Sequence, residues 1–512
     1  MAETKREIER KYEATGSGTD SDGPGLPDLT RVPGVADVLD RGTVDLDATY
    51  YDTVDLRLAA AARTLRRRTG GDDAGWHLKL PVAEGVRDEV QAPLSEKVPR
   101  ALAGLVRSRV RGAELVPVVR LRSARDVRHL VDADGALLAE VSVDSVRADR
   151  LAGGEGSAAW TEIEVELAEG GDPAFLDKVE KRLRKAGVVP AGSASKLARA
   201  LAETGGAKPY EPQEPPEPVT AGDHVLAYLR TQRDALVELD PDVRRDLPDA
   251  VHQMRVATRR IRSALRSYGK VLDPAATDPV GDELKWLAGE LGVDRDREVL
   301  TARLQEAVAA LPRTLVVGPV RGRLRTWSAA QRSGSKRRLT GVLDGARYLA
   351  LLDALDALLA EPPLLGAAAK SPERALAKAV LREQRRLAAH VEEALAAPPG
   401  HDRDLAMHEA RKKAKRTRYA AEVATPALGK PAKRLTARMK ELQSGLGEHQ
   451  DSVMTRLALR DLAAQAQEAG ESSFTYGVLH GRQEQAAATA EDRLPGWWEG
   501  AVSAADALGR TR

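Results

Sequence analysis

The hydrophobic period of this 512-residue chain changes at a proline-rich stretch, residues 205–218. Before the stretch, short segments alternate between apolar and polar residues, as in β-strands. After it, long segments from 223 to 469 repeat at helical spacing. A stretch of this composition between two such halves is typical of an extended linker. The sequence therefore predicts an α+β chain of two domains, a β-rich one over residues 4–204 and an all-α one over residues 219–508.

The composition excludes several classes of site and partner. Cysteine is absent, which excludes disulfides, thiolate metal sites and cysteine nucleophiles. Lys+Arg (79) and Asp+Glu (77) nearly cancel, so affinity for a polyanion must come from local clusters. Aromatic residues are only 3%, which disfavours nucleic acid as a partner because stacking platforms are scarce. The chain shows neither an apolar signal segment nor a membrane span, so we expect a soluble, cytoplasmic protein without a membrane or protein partner.

Charged residues alternate along several strands of the predicted β-rich domain. Alternation places residues of one parity on one face of a strand, and four such sets stand out. They are Glu7, Glu9 and Lys11; Arg66 and Arg68; Arg120 and Arg122; and Glu162, Glu164 and Glu166. Carboxylates are ligands for Mg²⁺ or Mn²⁺, and arginine forks suit phosphate oxygens. A closed barrel could gather both sets in its interior, although for any single strand a wetted outer face remains the alternative.

An ordered set of motifs in residues 4–204 resembles the CYTH superfamily, the triphosphate tunnel metalloenzymes. The motifs are Glu7-x-Glu9-x-Lys11, Leu65-Arg66-Arg67-Arg68, Trp76-His77-Leu78-Lys79-Leu80-Pro81, Arg120-Leu121-Arg122, Asp144, Glu162-x-Glu164 and Ser195-Lys196-Leu197. The resemblance implies an eight-stranded antiparallel β-barrel whose charged tunnel binds a triphosphate.

The same resemblance implies roles for individual residues. Glu7, Glu9 and Lys11 would form the catalytic set. The phosphates would be held by Lys11 together with Arg66, Arg68, Lys79, Arg120, Arg122 and Lys196. One or two Mg²⁺ or Mn²⁺ ions would be held by Glu7, Glu9, Asp144, Glu162 and Glu164. For Arg125 and Glu140 two interpretations stay open: they lie beside the tunnel residues, or they form an outward salt bridge. His77 is expected to have a structural role.

The all-α half contains an internal repeat. His252, Arg255, Arg259, Arg262 and Arg266 form a purely basic stripe at helical spacing. His408, Arg411, Lys415 and Arg418 repeat the stripe, with an offset of 156 residues for the first four positions. A solvated helix face usually mixes charges of both signs, so a stripe of one sign favours an anionic partner.

Residues 220–508 resemble the CHAD domain, a conserved-histidine α-helical domain. The resemblance rests on both histidine-containing basic helices and on the segments from Leu291 to Asp296 and from Leu446 to Asp451. It implies two helical bundles related by a pseudo-two-fold axis, which bind inorganic polyphosphate in a basic groove. His252 and His408 could bind metal, but hydrogen bonding to phosphate is the preferred role. Gln450 stands where the first copy has Arg295, which predicts weaker polyphosphate binding at the edge of the groove in the second copy.

The leading functional hypothesis is divalent-metal-dependent hydrolysis of inorganic triphosphate or a related chain by the barrel, with polyphosphate bound by the helical domain. Two alternatives remain from the sequence. One is a non-catalytic polyphosphate-binding protein, and the other is an adenylate cyclase-type activity of the barrel. The paired glutamates Glu7 and Glu9 favour an enzyme, because a pure polyanion binder gains nothing from carboxylates in its groove.

Overall fold

The computed structural model describes residues 3–14, 26–206, 217–332 and 335–510. Contacts divide the chain into two units, residues 1–214 and 215–512. Most of the predicted linker, 207–216, lies outside the described residues. Each unit is described by itself below.

The first unit is built from nine antiparallel strands and three α-helices in its described residues. The strands are β1 (Glu3–Ala14), β2 (Asp37–Asp52), β3 (Thr64–Thr69), β4 (Gly75–Ala83), β5 (Val86–Ala92), β6 (Val116–Val131), β7 (Leu137–Arg150), β8 (Ser157–Leu167) and β9 (Val188–Pro190). The helices are α1 (Arg100–Val110), α2 (Ala174–Arg184) and α3 (Lys196–Glu203). The strand order is β5-β4-β3-β2-β6-β7-β8-β1, and pairing of β1 with β5 closes the ring. The predicted eight-stranded barrel is therefore confirmed, and β9 is a short addition beside β1.

The apolar faces of the strands point away from the barrel axis, towards covering helices. Helix α1 packs on β3, β4 and β5 through Leu102 and Val106. Helix α2 packs on β1, β7 and β8, and α3 packs on β2, β6 and β7. Because these helices bury the apolar faces, the other parity of each strand is left for the interior of the barrel. The chain thus forms a stable barrel with a polar interior.

The second unit is helical throughout its described residues. Its helices are α4 (Ala221–Arg245), α5 (Ala250–Ser267), α6 (Pro274–Glu290), α7 (Gly292–Ala309), α8 (Val320–Arg332), α9 (Ser335–Asp344), α10 (Ala346–Ala360), α11 (Pro372–Ala396), α12 (His401–Leu428), α13 (Lys430–Glu468) and α14 (Phe474–Arg510). One large core joins α4, α5, α6, α9, α10, α11, α12, α13 and the second half of α14. A smaller core joins α7, α8, the end of α13 and the start of α14. No helix of the described residues is long and apolar enough to cross a membrane.

The repeat seen in the sequence corresponds to equivalent packing in the structure. The two basic stripes lie on α5 and α12, and these helices are in contact: the Tyr268 hydroxyl donates to the carbonyl of Ala420 at 2.7 Å. The Arg255 guanidinium lies against Gly292, at the start of α7. In the second copy the Arg411 guanidinium lies against Gly447, within the continuous helix α13. The duplicated helical architecture is therefore visible in the packing as well as in the sequence.

Candidate active site and polyphosphate groove

A cavity of about 420 Å³ runs inside the barrel, and most of the residues that line it are charged. Its basic side chains are Lys5, Lys11, Arg66, Arg68, Lys79, Arg87, Arg125 and Lys196. Its acidic side chains are Glu7, Glu9, Asp73, Glu89, Glu140, Glu164, Glu166 and Glu169. The cavity thus brings together the predicted set Glu7, Glu9 and Lys11 from β1 with the predicted basic residues of β3, β4 and α3.

Glu7 and Glu9 share a lysine. The Lys79 Nζ lies 2.6 Å from Glu7 Oε2 and 3.7 Å from Glu9 Oε2. Burial raises the pKa of Glu9, but the charges of Lys11, Lys79 and Arg87 outweigh it and hold that pKa well below its ordinary value. Burial keeps the pKa of Glu7 above its ordinary value despite Lys79. Of these two carboxylates, Glu9 therefore stays ionised over the wider pH range.

Three further carboxylates converge on the neighbouring strands β7 and β8, of which β8 is next to β1 in the barrel. Asp144 on β7 pairs in register with Glu162 on β8, and Glu164 lies two residues further along β8. One oxygen from each of the three lies within 4.8 Å of the others, and all three side chains are buried. The Lys196 Nζ, at the start of α3, lies 2.8 Å from Asp144, 2.7 Å from Glu162 and 2.7 Å from Glu164.

The three-carboxylate cluster fits a divalent metal ion. Its donor atoms are carboxylate oxygens, the ligand type that Mg²⁺ and Mn²⁺ prefer. The lysine ammonium group lies among the three oxygens and shows that the cluster is arranged around a cation. Burial raises the pKa of Asp144, but the charges of Lys196 and Arg125 outweigh this effect and lower the pKa below its ordinary value, so the group is ionised at neutral pH. Lys196 would have to move aside to let an ion approach the same oxygens.

Strands β3, β4 and β5 contribute half of the basic side chains that line the cavity, namely Arg66, Arg68, Lys79 and Arg87. Arg66 on β3 lies 3.5 Å from Glu89 on β5, and Arg68 is paired with Asp73 in the β3–β4 turn. Burial lowers the pKa of Arg68 to about 9, and the neighbouring charge of Arg66 adds to that shift. A desolvated guanidinium crowded by like charge gains from an anionic ligand.

Two of the residues predicted to bind phosphate, Arg120 and Arg122, lie outside the cavity. Arg120 and Arg122 point to the outer face of β6, where Arg120 pairs with Asp47 and Arg122 with Asp149, both at 2.5 Å. Both side chains are about half exposed and neither lines the cavity. The expected position of Arg120 and Arg122 in the tunnel is therefore wrong. The opposite parity of β6 faces inwards and brings Arg125 into the tunnel.

Arg125 is the arginine that β6 contributes. Its Nε and NH2 atoms donate to the two oxygens of Asp144 at 2.8 and 2.7 Å, and NH2 also donates to Glu164 at 2.7 Å. Of the two readings for Arg125 and Glu140, the structure has both residues lining the cavity, with Glu140 also 3.3 Å from His129. Glu166 lines the cavity as well and pairs with Lys5 at 2.7 Å.

Strand β5 supplies residues that sequence reasoning missed. Arg87, Glu89 and Gln91 all line the cavity, and Arg87 NH1 lies 3.5 Å from Glu9 Oε1. The alternation Arg87-x-Glu89-x-Gln91 is the signal that could have identified them. His77 Nδ1 lies 3.2 Å from Glu89 and its Nε2 lies 2.9 Å from the carbonyl of Asp73. His77 itself does not line the cavity, in keeping with the structural role expected for it.

In the helical unit, the structure brings both basic stripes side by side. His252, Arg255, Arg259, Arg262 and Arg266 lie on α5, and His408, Arg411, Lys415 and Arg418 lie on α12. Burial lowers the pKa of Arg259, and the charges of Arg255 and of Arg411 on the facing helix lower it further, although a hydrogen bond with Tyr419 raises it. Like charges from two helices are thus held together at the α5–α12 contact.

The second histidine has a defined partner. His408 Nδ1 lies 2.6 Å from the side-chain oxygen of Gln450 on α13. Burial lowers the pKa of His408, which favours the neutral ring. A neutral ring that donates to Gln450 through Nδ1 has no proton left on Nε2, so donation to phosphate would need the protonated ring. The corresponding Arg295 side chain lies outside the described residues.

Comparison with known proteins identifies both domains. The CYTH domain profile matches residues 5–201 and the CHAD domain profile matches residues 227–460. Among solved structures, PptA from Streptomyces chartreusis is similar with a TM-score of 0.47 and 24% identity, over 55% of this chain and 100% of that one. The CHAD domain from the plant Ricinus communis is similar with a TM-score of 0.39 and 24% identity, over 55% of this chain and 89% of that one.

Two uncharacterized proteins from two strains of Mycobacterium tuberculosis are similar along almost the whole chain. Each is 39% identical over 504 residues, which is 95% of this chain and 94% of the relative. The shared length includes both domains. The chain therefore belongs to the family of these mycobacterial proteins, and it consists of a CYTH domain followed by a CHAD domain.

Proposed function

We propose that the CYTH domain hydrolyses inorganic triphosphate or a related phosphate chain with the help of a divalent metal ion, and that the CHAD domain binds polyphosphate. The single observation that carries the enzymatic part is the mixed wall of the barrel cavity, where buried carboxylates face lysines and arginines. CYTH and CHAD domains together support a function connected with triphosphate or polyphosphate.

The mixed wall favours catalysis over plain binding. Buried carboxylates repel a polyanion, so a site that only binds phosphate would be weakened by Glu9 and Glu164. A bound metal ion would turn this repulsion into attraction, because the carboxylates would hold the ion and the ion would attract phosphate oxygens. The cations Lys79, Arg66 and Arg68 would then hold the phosphate chain and stabilise the charge on the leaving group.

The chemistry divides between ion and protein. A bound Mg²⁺ or Mn²⁺ would polarise the phosphoryl group and activate water. Asp144, Glu162 and Glu164 would hold one ion, with Glu7 and Glu9 as ligands for it or for a second one. Arg125 would fix the orientation of Asp144 and Glu164. Lys196, freed from the carboxylates by the ion, would be available to the phosphate oxygens.

The helical unit supports the binding part of the proposal. The stripes of α5 and α12 gather arginines that lower one another's pKa values, an arrangement that a polyanion relieves. The net charge of the whole chain is only +2, so the attraction is local to this surface, here called the α5–α12 groove.

The enzymatic proposal can be tested on the full chain with Glu9→Gln. Purified protein with Mg²⁺ or Mn²⁺ is expected to release orthophosphate from inorganic triphosphate, and Glu9→Gln should lower kcat/KM by about 100-fold or more because an ionised ligand is lost. Triphosphate, long-chain polyphosphate, ATP and thiamine triphosphate are compared with each metal. Release of cyclic AMP and pyrophosphate from ATP would instead support the cyclase alternative.

Glu13→Gln is the matched control. Glu13 lies on the same strand and has the same parity as Glu9, but it pairs with Arg199 and does not line the cavity. It should hydrolyse triphosphate as the wild type does. Melting temperatures of both variants report whether the barrel still folds. A folded Glu9→Gln protein with wild-type kcat/KM would refute the metal-site assignment, and a wild type without turnover would leave binding as the function.

A further inference from the structure

The two halves of the α5–α12 groove are not electrostatically equal. By the repeat offset of 156 residues, Arg266 on α5 corresponds to Glu422 on α12, and Lys413 on α12 corresponds to Ala257 on α5. The two ends of the groove therefore differ in their charges. The acidic residue at one end is Glu422 on α12, and the acidic residue at the other end is Glu383 on α11.

At the Glu422 end, two arginines and one tyrosine hydroxyl contact the Glu422 carboxylate. Arg260 Nε lies 3.1 Å from Glu422, the Tyr228 hydroxyl donates to it at 3.1 Å, and Arg418 Nε lies 3.7 Å away. Arg260 and Arg418 also lie over the ring of Tyr419, at 5.8 and 4.7 Å from its centroid. One carboxylate thus balances much of the charge at this end.

At the Glu383 end cations are in excess. Glu383 is almost fully buried and receives Arg386 NH1 at 2.9 Å and Arg416 Nε at 3.0 Å. Arg382 donates to the carbonyl of Ser267, at the end of α5. We call the basic residues that contact Glu383, or interact electrostatically with it or with one another here, the Glu383 cluster. Its basic members are Arg262, Arg266, Arg382, Arg386, Lys413 and Arg416.

Like charges in the Glu383 cluster act on one another. Burial lowers the pKa of Arg416; Glu383 raises it, and Arg386, Arg266 and Arg382 lower it. Burial likewise lowers the pKa of Arg262. The charges of Arg266 and Arg416 lower this pKa further, while the charge of Asp282 raises it. Within the described part of the chain, neither Arg262 nor Arg266 forms an ion pair, and Arg266 is exposed. The cluster therefore presents unbalanced positive charge to solvent at one end of the groove.

We propose that the Glu383 cluster binds the terminal phosphate group of a polyphosphate chain, so that the chain lies in the groove with one end at α11. This inference rests on the proposed polyphosphate binding of the CHAD domain. A terminal phosphate carries a charge of roughly −1.5 to −2 at neutral pH, as a phosphate monoester does, whereas an inner phosphate of the chain carries one charge. The end with the larger excess of cations is the better site for the more highly charged group.

The test compares long-chain polyphosphate with intact ends and the same polyphosphate with both terminal phosphates capped as alkyl esters. Binding to the full chain is measured with EDTA present, which prevents hydrolysis. Every protein carries Arg66→Gln, so that any binding of chain ends by the barrel is weakened equally in all of them. The intact chain should bind about threefold to fivefold more tightly than the capped chain, the scale of an exposed charge pair. Arg266→Gln, and independently Arg386→Gln, should bring this ratio close to one.

Arg259→Gln is the control, because Arg259 lies at the α5–α12 contact and outside the Glu383 cluster. It should weaken both polyphosphates and leave their ratio unchanged. If Arg259→Gln weakens both but Arg266→Gln and Arg386→Gln do not alter the ratio, the end site is refuted and the groove stands. If Arg259→Gln weakens neither, the groove itself is refuted. Orthophosphate that displaces capped and intact chains equally would show a site for the free ion, which also overturns the proposal.

Discussion

Arg125 joins two carboxylates that the proposed chemistry depends on. It forms two hydrogen bonds with Asp144 and one with Glu164. Asp144 is fully buried, so its charge needs nearby cations to offset the cost of desolvation. Lys196 is its other counter-charge and is the group that an incoming metal ion would replace. Arg125 therefore carries more of the stabilisation of Asp144 once the ion is bound.

We expect Arg125→Gln to lower kcat/KM for triphosphate by about 10- to 100-fold, the usual cost of losing a group that orients metal ligands. The melting temperature should fall as well, because a buried carboxylate loses a charge partner. Arg122→Gln, on the same strand, should leave both quantities near their wild-type values, since Arg122 pairs with Asp149 on the outer face. Equal losses from the two variants would contradict the inward and outward assignment of β6.

The face of β6 shows where sequence reasoning reaches its limit at this scale. Alternation correctly grouped Arg120 with Arg122, but it does not say whether a polar face points inwards or outwards. Here both the interior and the solvent side of the barrel accept charge, so the charge of a face does not decide its direction. The motif at the N-terminus predicts the inward face for Glu7, Glu9 and Lys11, and they line the cavity, whereas the Arg120-Leu121-Arg122 motif predicts the wrong face of β6. β5 had no such motif, and Glu89 was missed.

At the scale of elements, Gly292 and Gly447 are equivalent positions with different surroundings. A Cβ on Gly292 would lie 2.9 Å from the Arg255 guanidinium, whereas on Gly447 it would lie 3.6 Å from that of Arg411. The first distance requires the flexible guanidinium to move, and the second is an ordinary van der Waals contact. The pair therefore allows one groove arginine to be displaced without a change in its charge.

Gly292→Ala should weaken polyphosphate binding by about 0.5–1 kcal/mol, the size of one displaced charge contact. Stability should change little, because alanine favours helix formation over glycine and the clash is with a side-chain end. Binding is measured by titration calorimetry at fixed salt, with the melting temperature alongside. Gly447→Ala is the matched control and should bind as the wild type does. Weaker binding by Gly447→Ala alone would contradict the proposed role of Arg255.

The helices also show which elements a sequence can predict. Segments with a strong apolar stripe, such as α5, were predicted as helices, and their repeat gave the duplication. Helix α14 lies beyond the predicted helical segments, because it contains Gly477, Gly481, Pro495 and Gly496, which weaken the local helical signal. Its formation depends on packing along α13, where the Trp497 ring lies against Gly445. Tertiary contact of this kind has no signature in a local window.

At the scale of the whole molecule, the two units handle charge in opposite ways. The barrel balances acids with bases in a closed cavity, as metal-assisted chemistry requires, while the α5–α12 groove collects bases. The chain between the units is short, so under the proposed function a polyphosphate held by one unit would stay at high effective concentration for the other. This advantage exists only for a phosphate chain long enough to occupy both sites, and inorganic triphosphate gains nothing from it.

Cutting the chain within residues 207–216 should therefore affect the hydrolysis of long-chain polyphosphate and of triphosphate differently. A protease site inserted there is cleaved after purification, and initial rates are measured at protein concentrations far below the millimolar range expected for tethered sites. Hydrolysis of long-chain polyphosphate should fall by about tenfold or more, because the bound chain is no longer tethered to the barrel. Hydrolysis of triphosphate should be unchanged, and the uncut protein with the same insertion is the control. If both rates survive cleavage, the two units act independently; if both fall, the barrel itself depends on the intact chain.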